Sequence, residues 1–79
     1  MGNHELLRKI PSVDEVLSLV DLKIKEEIPH QLIVDSIREE ILGLRSRLIH
    51  NEKVEMHELE PHSLAASSVA LAAKNWRPN

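Results

Sequence analysis

The stretch PHQLIVDSIREEILGLRSRLIH, residues 29–50, decides the fold. Its Ile33, Ile37, Ile41, Leu44 and Leu48 recur at spacings of 4, 4, 3 and 4, which at about 100° per residue puts all five on one narrow face of a helix. The pattern predicts a helix from Pro29 or His30 to about His50. Proline suits the first turn, where the amide proton it lacks would have no partner. A helix with a single aliphatic face needs others to cover it. The expected fold class is therefore all-α: a small bundle of three to four helices with one long central amphipathic helix. Gly43 costs that helix about 1 kcal/mol against alanine, and is expected to admit a close neighbour or a slight bend.

Upstream, Ser12-Val13-Asp14-Glu15 is the clearest helix start in the chain. A serine hydroxyl can accept from the amide three residues on, the glutamate can reach back, and acidic side chains favour the positive helix end. A short helix from Val13 to about Leu19 is expected, with Ile10 and Val16 placed to staple across the cap. Before it, Leu6, Leu7 and Ile10 stand at helical spacing in an apolar-basic arm that also holds Arg8 and Lys9. From Val20 to Ile28 two readings stay open: continued helix after a bend near Asp21, or a strand from the alternation of Val20, Leu22 and Ile24. Pro29 closes that segment by biasing Ile28 toward extended angles.

Downstream, residues 51–60 carry four glutamates and no period, which reads as a solvated acidic connector. Glu60-Pro61-His62-Ser63 opens a last helix to about Lys74. Leu64, Val69 and Leu71 are its large aliphatics, so it is expected to pack by close approach rather than by bulk. Pro78 is expected to break it.

With 79 residues the chain makes one domain at most, hiding only about 60% of the surface its unfolded form exposes. Hydrophobic residues are 42% of the sequence and Trp76 is the one aromatic, so the core must be thin and aliphatic. The chain has no cysteine, which leaves no disulfide or thiolate ligand and points to the reducing cytoplasm. The longest apolar run, 64–73, is broken by Ser67 and Ser68 and falls far short of the about 20 residues of a membrane-spanning helix. The first ten residues lack the apolar centre of a secretion signal. A net charge of −3 and a pI near 5.9 argue against a general nucleic-acid binder, which shows a basic excess.

No arrangement of a catalytic, cofactor-binding or metal site emerges. His57 and His62 lie near Glu55, Glu58 and Glu60, but a connector interrupted by Pro61 offers no zinc-ligand spacing. The neighbours Glu26-Glu27 and Glu39-Glu40 do not face one another on a helix. Serines lack an elbow-type glycine frame, and the chain has two glycines, too few for a phosphate cradle.

One pattern remains. Arg38, Leu42, Arg45 and Ile49 follow spacings of 4, 3 and 4, a second stripe on the long helix roughly 100° from the aliphatic one; Arg47 lies elsewhere on that helix. Two arginines alternating with two aliphatics could meet a protein, or a sugar-phosphate backbone through charge-assisted hydrogen bonds. The competing reading is plain: Leu42 and Ile49 pack under the last helix while the arginines pair with nearby glutamates and cover apolar surface.

Leu6-Leu7-Arg8-Lys9-Ile10-Pro11-Ser12-Val13-Asp14-Glu15-Val16-Leu17 resembles the opening of the bacterial selenocysteine synthase family, L-seryl-tRNA(Sec) selenium transferases. Leu32-Ile33-Val34-Asp35-Ser36-Ile37-Arg38-Glu39-Glu40-Ile41, followed by Leu44-Arg45, is similar to that family's next helix with its arginine-bearing face. The two blocks stand in matching order from about Leu6 to Leu48. Ile28-Pro29-His30-Gln31 departs from the family, which has a glycine-containing turn there. Trp76-Arg77-Pro78-Asn79 is similar to the approach to the family's catalytic domain, whose cofactor lysine would lie beyond Asn79.

The resemblance implies part of a homo-oligomeric, pyridoxal-phosphate-dependent enzyme that converts seryl-tRNA(Sec) to selenocysteinyl-tRNA(Sec), with cofactor and chemistry outside these 79 residues. It implies that 1–50 form a recognition domain for tRNA(Sec), 51–60 the acidic connector, and 61–79 an Ala/Ser-rich helix leading to the catalytic domain. Arg8, Lys9, Arg38, Arg45 and Arg47 are then the candidate tRNA contacts. The alternative is a domain that docks on the catalytic body or assembles oligomers without touching RNA, using Leu42 and Ile49. A free-standing DNA-binding helix fits less well, because Asp35, Glu39 and Glu40 offset the three arginines.

Overall fold

A computed structural model describes residues 3–76. It is all-helical: α1 Asn3–Lys9, α2 Val13–Leu17, α3 Leu22–Glu27, α4 His30–Ile49, a 3-10 turn Met56–Leu59, and α5 Pro61–Asn75. The five α-helices exceed the three or four expected because the arm and the 20s segment each form their own short helix. The long helix is central as its periodicity requires, with α1, α2 and α5 all packed on it.

Each boundary has a local cause. The Glu15 amide donates to Ser12 Oγ at 3.2 Å and caps α2, while the Glu15 carboxylate leaves the reciprocal half of the box unmade among the described residues. The residue directly before the cap is Pro11, which is buried with Val16, whereas Ile10 is half-buried; the staple position therefore belongs to Pro11 rather than Ile10. Helix α2 stops at Leu17, two residues early, as the Leu19 and Val20 amides turn back to the Val16 and Leu17 carbonyls. Asp21 decides the ambiguous segment: its Oδ1 accepts from the Lys23 amide at 3.1 Å, and that cap starts a helix where alternation also allowed a strand. The price is Leu22, left 70% exposed. Ile28, extended at φ −109° and ψ 135°, turns the chain through Pro29 into α4.

The C-terminus of α4 is closed by Asn51, whose φ of 60° is left-handed. The Glu52 amide reaches the Arg47 carbonyl at 2.8 Å and the Asn51 amide the Leu48 carbonyl at 3.1 Å, the paired bonds of a Schellman closure.

The core is aliphatic throughout: Val16, Val20, Ile28, Ile33, Ile37, Ile41, Leu44 and Leu48 meet Val54, Leu59, Leu64, Ala65 and Ala72. All five residues of the α4 stripe are in it. Helix α5 contributes mostly small residues, Ala65, Ser68 and Ala72 beside Leu64, so it lies close against the others as expected. Residues 51–60 are more than a solvated connector, since Val54 and Leu59 are buried in the core. Gly43 is a correction of a different kind. A Cβ built there meets nothing within 4 Å, so no close neighbour requires the glycine. The break expected at Pro78 lies outside the described residues; α5 itself ends at Asn75, and Trp76 is extended at φ −89° and ψ 123°.

Candidate nucleic-acid interface

Helix α4 buries the aliphatic stripe and thereby holds Gln31, Arg38, Leu42, Arg45 and Ile49 toward solvent, since positions some 100° away on a helix cannot share the same contact. Leu42 is 58% exposed and Ile49 60%. Neither packs under α5. Arg38 and Arg45 are exposed, and among the described residues neither makes an ion pair. Both halves of the plain reading are thus overturned: α5 covers another side of α4, and the glutamates that follow the helix are turned toward Arg47 instead.

Arg47 points away from the stripe, nearly half a turn round the helix from Arg38. Its Nη1 donates to Glu58 Oε1 at 2.8 Å and its Nη2 to the Lys53 carbonyl at 3.0 Å. Its Nε lies 3.9 Å from Glu52 Oε1. The second Glu58 oxygen, Oε2, accepts from the Glu55 amide at 2.9 Å. That backbone bond, followed by the Arg47 guanidinium, holds the Glu58 carboxyl below its usual range; the hydrogen bond to Glu58 in turn raises Arg47. Every donor direction used here is spent on the 51–58 strap. Arg47 is a clamp for that strap and lies off the Arg38–Arg45 stripe, as its place in the sequence requires.

Arg8 and Lys9 stand exposed in the last turn of α1, where positive charge suits the negative helix end. Helix α1 packs on α4, but no hydrogen bond or ion pair ties either residue to the stripe. Of the candidates, Arg38, Arg45, Leu42 and Ile49 share one face, Arg8 and Lys9 stand on a neighbouring helix, and Arg47 is committed elsewhere.

Sequence reasoning missed the strap altogether. Its signals were present: Glu55 and Glu58 three apart, the spacing of a cap and its partner, an asparagine just past a long helix, and an arginine in that helix's last turn.

Surface grooves accompany these helices. One of about 520 Å³ runs between α4 and α5 past Glu40, Gly43, Arg47, Glu58, Ser63 and Ser67; two others lie along α3 and α5. None of the three is lined by a lysine, the amine that pyridoxal phosphate condenses with, so these grooves do not fit that cofactor. Among the described residues no group of three or more His, Asp and Glu could hold a metal ion, and no helix is long and apolar enough to cross a membrane.

Comparison with known proteins gives one result. Residues 7–45, from α1 into the last quarter of α4, match the family model described as selenocysteine synthase N terminal. No curated protein and no solved structure matches. The matched stretch contains the Ser12 cap, the aliphatic stripe as far as Leu44, and both arginines of the exposed face. The chain belongs to the selenocysteine synthase N-terminal family.

Proposed function

We propose that this domain recognises tRNA(Sec) for a cytoplasmic, homo-oligomeric, pyridoxal-phosphate-dependent enzyme that makes selenocysteinyl-tRNA(Sec) from seryl-tRNA(Sec), the domain itself contributing no catalytic group. The observation that carries the reading is the exposed face of α4: two guanidinium groups, Arg38 and Arg45, with no ion-pair partner among the described residues, fixed one heptad apart on a long helix. Planar forks of donors suit phosphate oxygens, and contacts of this type position a protein on a folded nucleic acid rather than read its bases. Arg8 and Lys9 extend the basic surface from α1. The net charge of −3 keeps non-specific attraction low, so discrimination rests on where the arginines sit. Pyridoxal phosphate would be held by other parts of the parent enzyme.

The test is a titration of the chain with tRNA(Sec) and with ordinary serine tRNA at several salt concentrations. Preferential binding of tRNA(Sec), with a salt slope reduced by about one when one phosphate contact is removed, supports the reading. No binding to either, or equal binding to both, rejects it.

A second reading is favoured by the exposure of Leu42 and Ile49: the same face docks on the catalytic domain of the parent enzyme. Charge reversal at Arg38 and Arg45 in the intact enzyme separates the two. Loss of tRNA binding with assembly intact supports recognition, and the opposite supports docking.

A further inference from the structure

The exposed face of α4 is longer than its arginine stripe. Gln31, Asp35, Arg38, Leu42, Arg45 and Ile49, all exposed, follow spacings of 4, 3, 4, 3 and 4, the alternation of a helix–helix seam. That sequence of spacings reads the same in both directions. A second α4 laid antiparallel over the first, centred on the middle of the set, brings Asp35 opposite Arg45, Arg38 opposite Leu42 and Gln31 opposite Ile49, each pairing occurring twice. In a parallel arrangement Asp35 would face Asp35 and each arginine its own copy. Charge therefore selects the antiparallel register.

The side chains are free to make these pairs. Asp35 Oδ1 accepts from Gln31 Nε2 at 2.9 Å, which steadies the carboxylate and leaves Oδ2 open. Arg45 has no ion-pair partner among the described residues. Leu42 and Ile49 are the two large aliphatics of α4 that the core leaves exposed.

We propose that a second copy of this chain docks on this face, α4 against antiparallel α4, with two Asp35–Arg45 ion pairs that enclose the two Leu42 side chains at the centre and leave Ile49 against Gln31 at each end. The seam runs about 27 Å along the helix. With two aliphatics per copy it makes a weak, concentration-dependent dimer. The inference goes beyond RNA recognition and does not depend on it, although both uses of the face exclude each other: a tRNA on Arg38 and Arg45 leaves no room for the second α4.

Sedimentation velocity on the full chain from micromolar to millimolar concentration tests it. The wild-type chain is expected to shift from monomer to dimer, Asp35→Arg and Arg45→Asp each to weaken the dimer at least tenfold, and the double variant D35R/R45D to recover it. Both positions are exposed, and circular dichroism checks that each variant keeps its helices. A chain that stays monomeric throughout, a dimer indifferent to both reversals, or a double variant no better than the singles overturns the proposal. Failure here stays separate from failure of RNA recognition, because Asp35→Arg removes a self-pair while adding a cation to the RNA-facing side.

Discussion

Arg47 Nη1 and Glu58 Oε1 meet at 2.8 Å across the turn that ends the long helix. Through this pair the C-terminal end of α4 is tied to the strap that leads into α5, so the end of one core helix fixes the start of the next. Replacing Arg47 by alanine is expected to lower the thermal midpoint while leaving tRNA affinity unchanged, because the guanidinium faces the strap. A calorimetric scan beside a tRNA titration checks both halves. An unchanged midpoint with lost affinity would return Arg47 to the RNA face.

The same pair sets a pH dependence. Glu58 is lowered from 4.5 in the folded chain, first by the Glu55 amide and then by Arg47. Its contribution to stability is thus present above about pH 4.5 and is lost as the pH falls through the lower, folded value. Urea unfolding between pH 6 and 3 should show Glu58→Gln converging with wild type at the acid end. A gap that stays constant across that range contradicts the account.

Gly43→Ala should stabilise the chain. A Cβ there meets nothing within 4 Å, and alanine is favoured over glycine inside a helix by about 1 kcal/mol, which for a domain of this size raises the midpoint by about 4–8 °C. A fall in the midpoint would mean that this part of α4 needs the glycine for a reason the packing does not show.

Ser68 is fully buried and its Oγ has no hydrogen-bond partner among the described residues. Ser36, equally buried, gives its hydroxyl to the Leu32 carbonyl at 2.8 Å. Ser68→Ala removes an unsatisfied group and is expected to be neutral or stabilising by about 1 kcal/mol, while Ser36→Ala costs up to about that much. Chemical denaturation of both variants gives the comparison, and a destabilised Ser68→Ala would show that the hydroxyl is satisfied in solution.

The matched stretch stops inside α4, yet Leu48, Val54, Leu59, Leu64, Ala65 and Ala72 beyond it complete the core. A chain cut after residue 50 is therefore expected to lose cooperative folding, since Ile33, Ile37 and Leu44 would face water. Circular dichroism melting reads this directly, and a sharp transition in the truncated chain would contradict it.

How far the sequence could be read follows from what each element depends on. Helix α4 was legible because burial of one face imposes a period, and the period survives in Ile33 to Leu48. The Ser12 cap was legible because it is local. The α3 segment was not, because its apolar residues fit helix and strand equally and the outcome rests on one Asp21 hydrogen bond. Arg47 could not be told from Arg45 by residue type; only the folded strap, held by Glu58 and the Lys53 carbonyl, gives them different tasks. Leu42 and Ile49 were undecided for the same reason, since their exposure depends on which side of α4 the last helix covers.

The most direct test of recognition is a chemical-shift map of the isotope-labelled chain on adding tRNA(Sec). The account predicts shifts concentrated at Arg38, Leu42, Arg45 and Ile49, extending to Arg8 and Lys9, sparing Arg47 and Glu58, and absent with ordinary serine tRNA. Shifts confined to the α4–α5 groove or the strap, or the same shifts with both tRNAs, would contradict it.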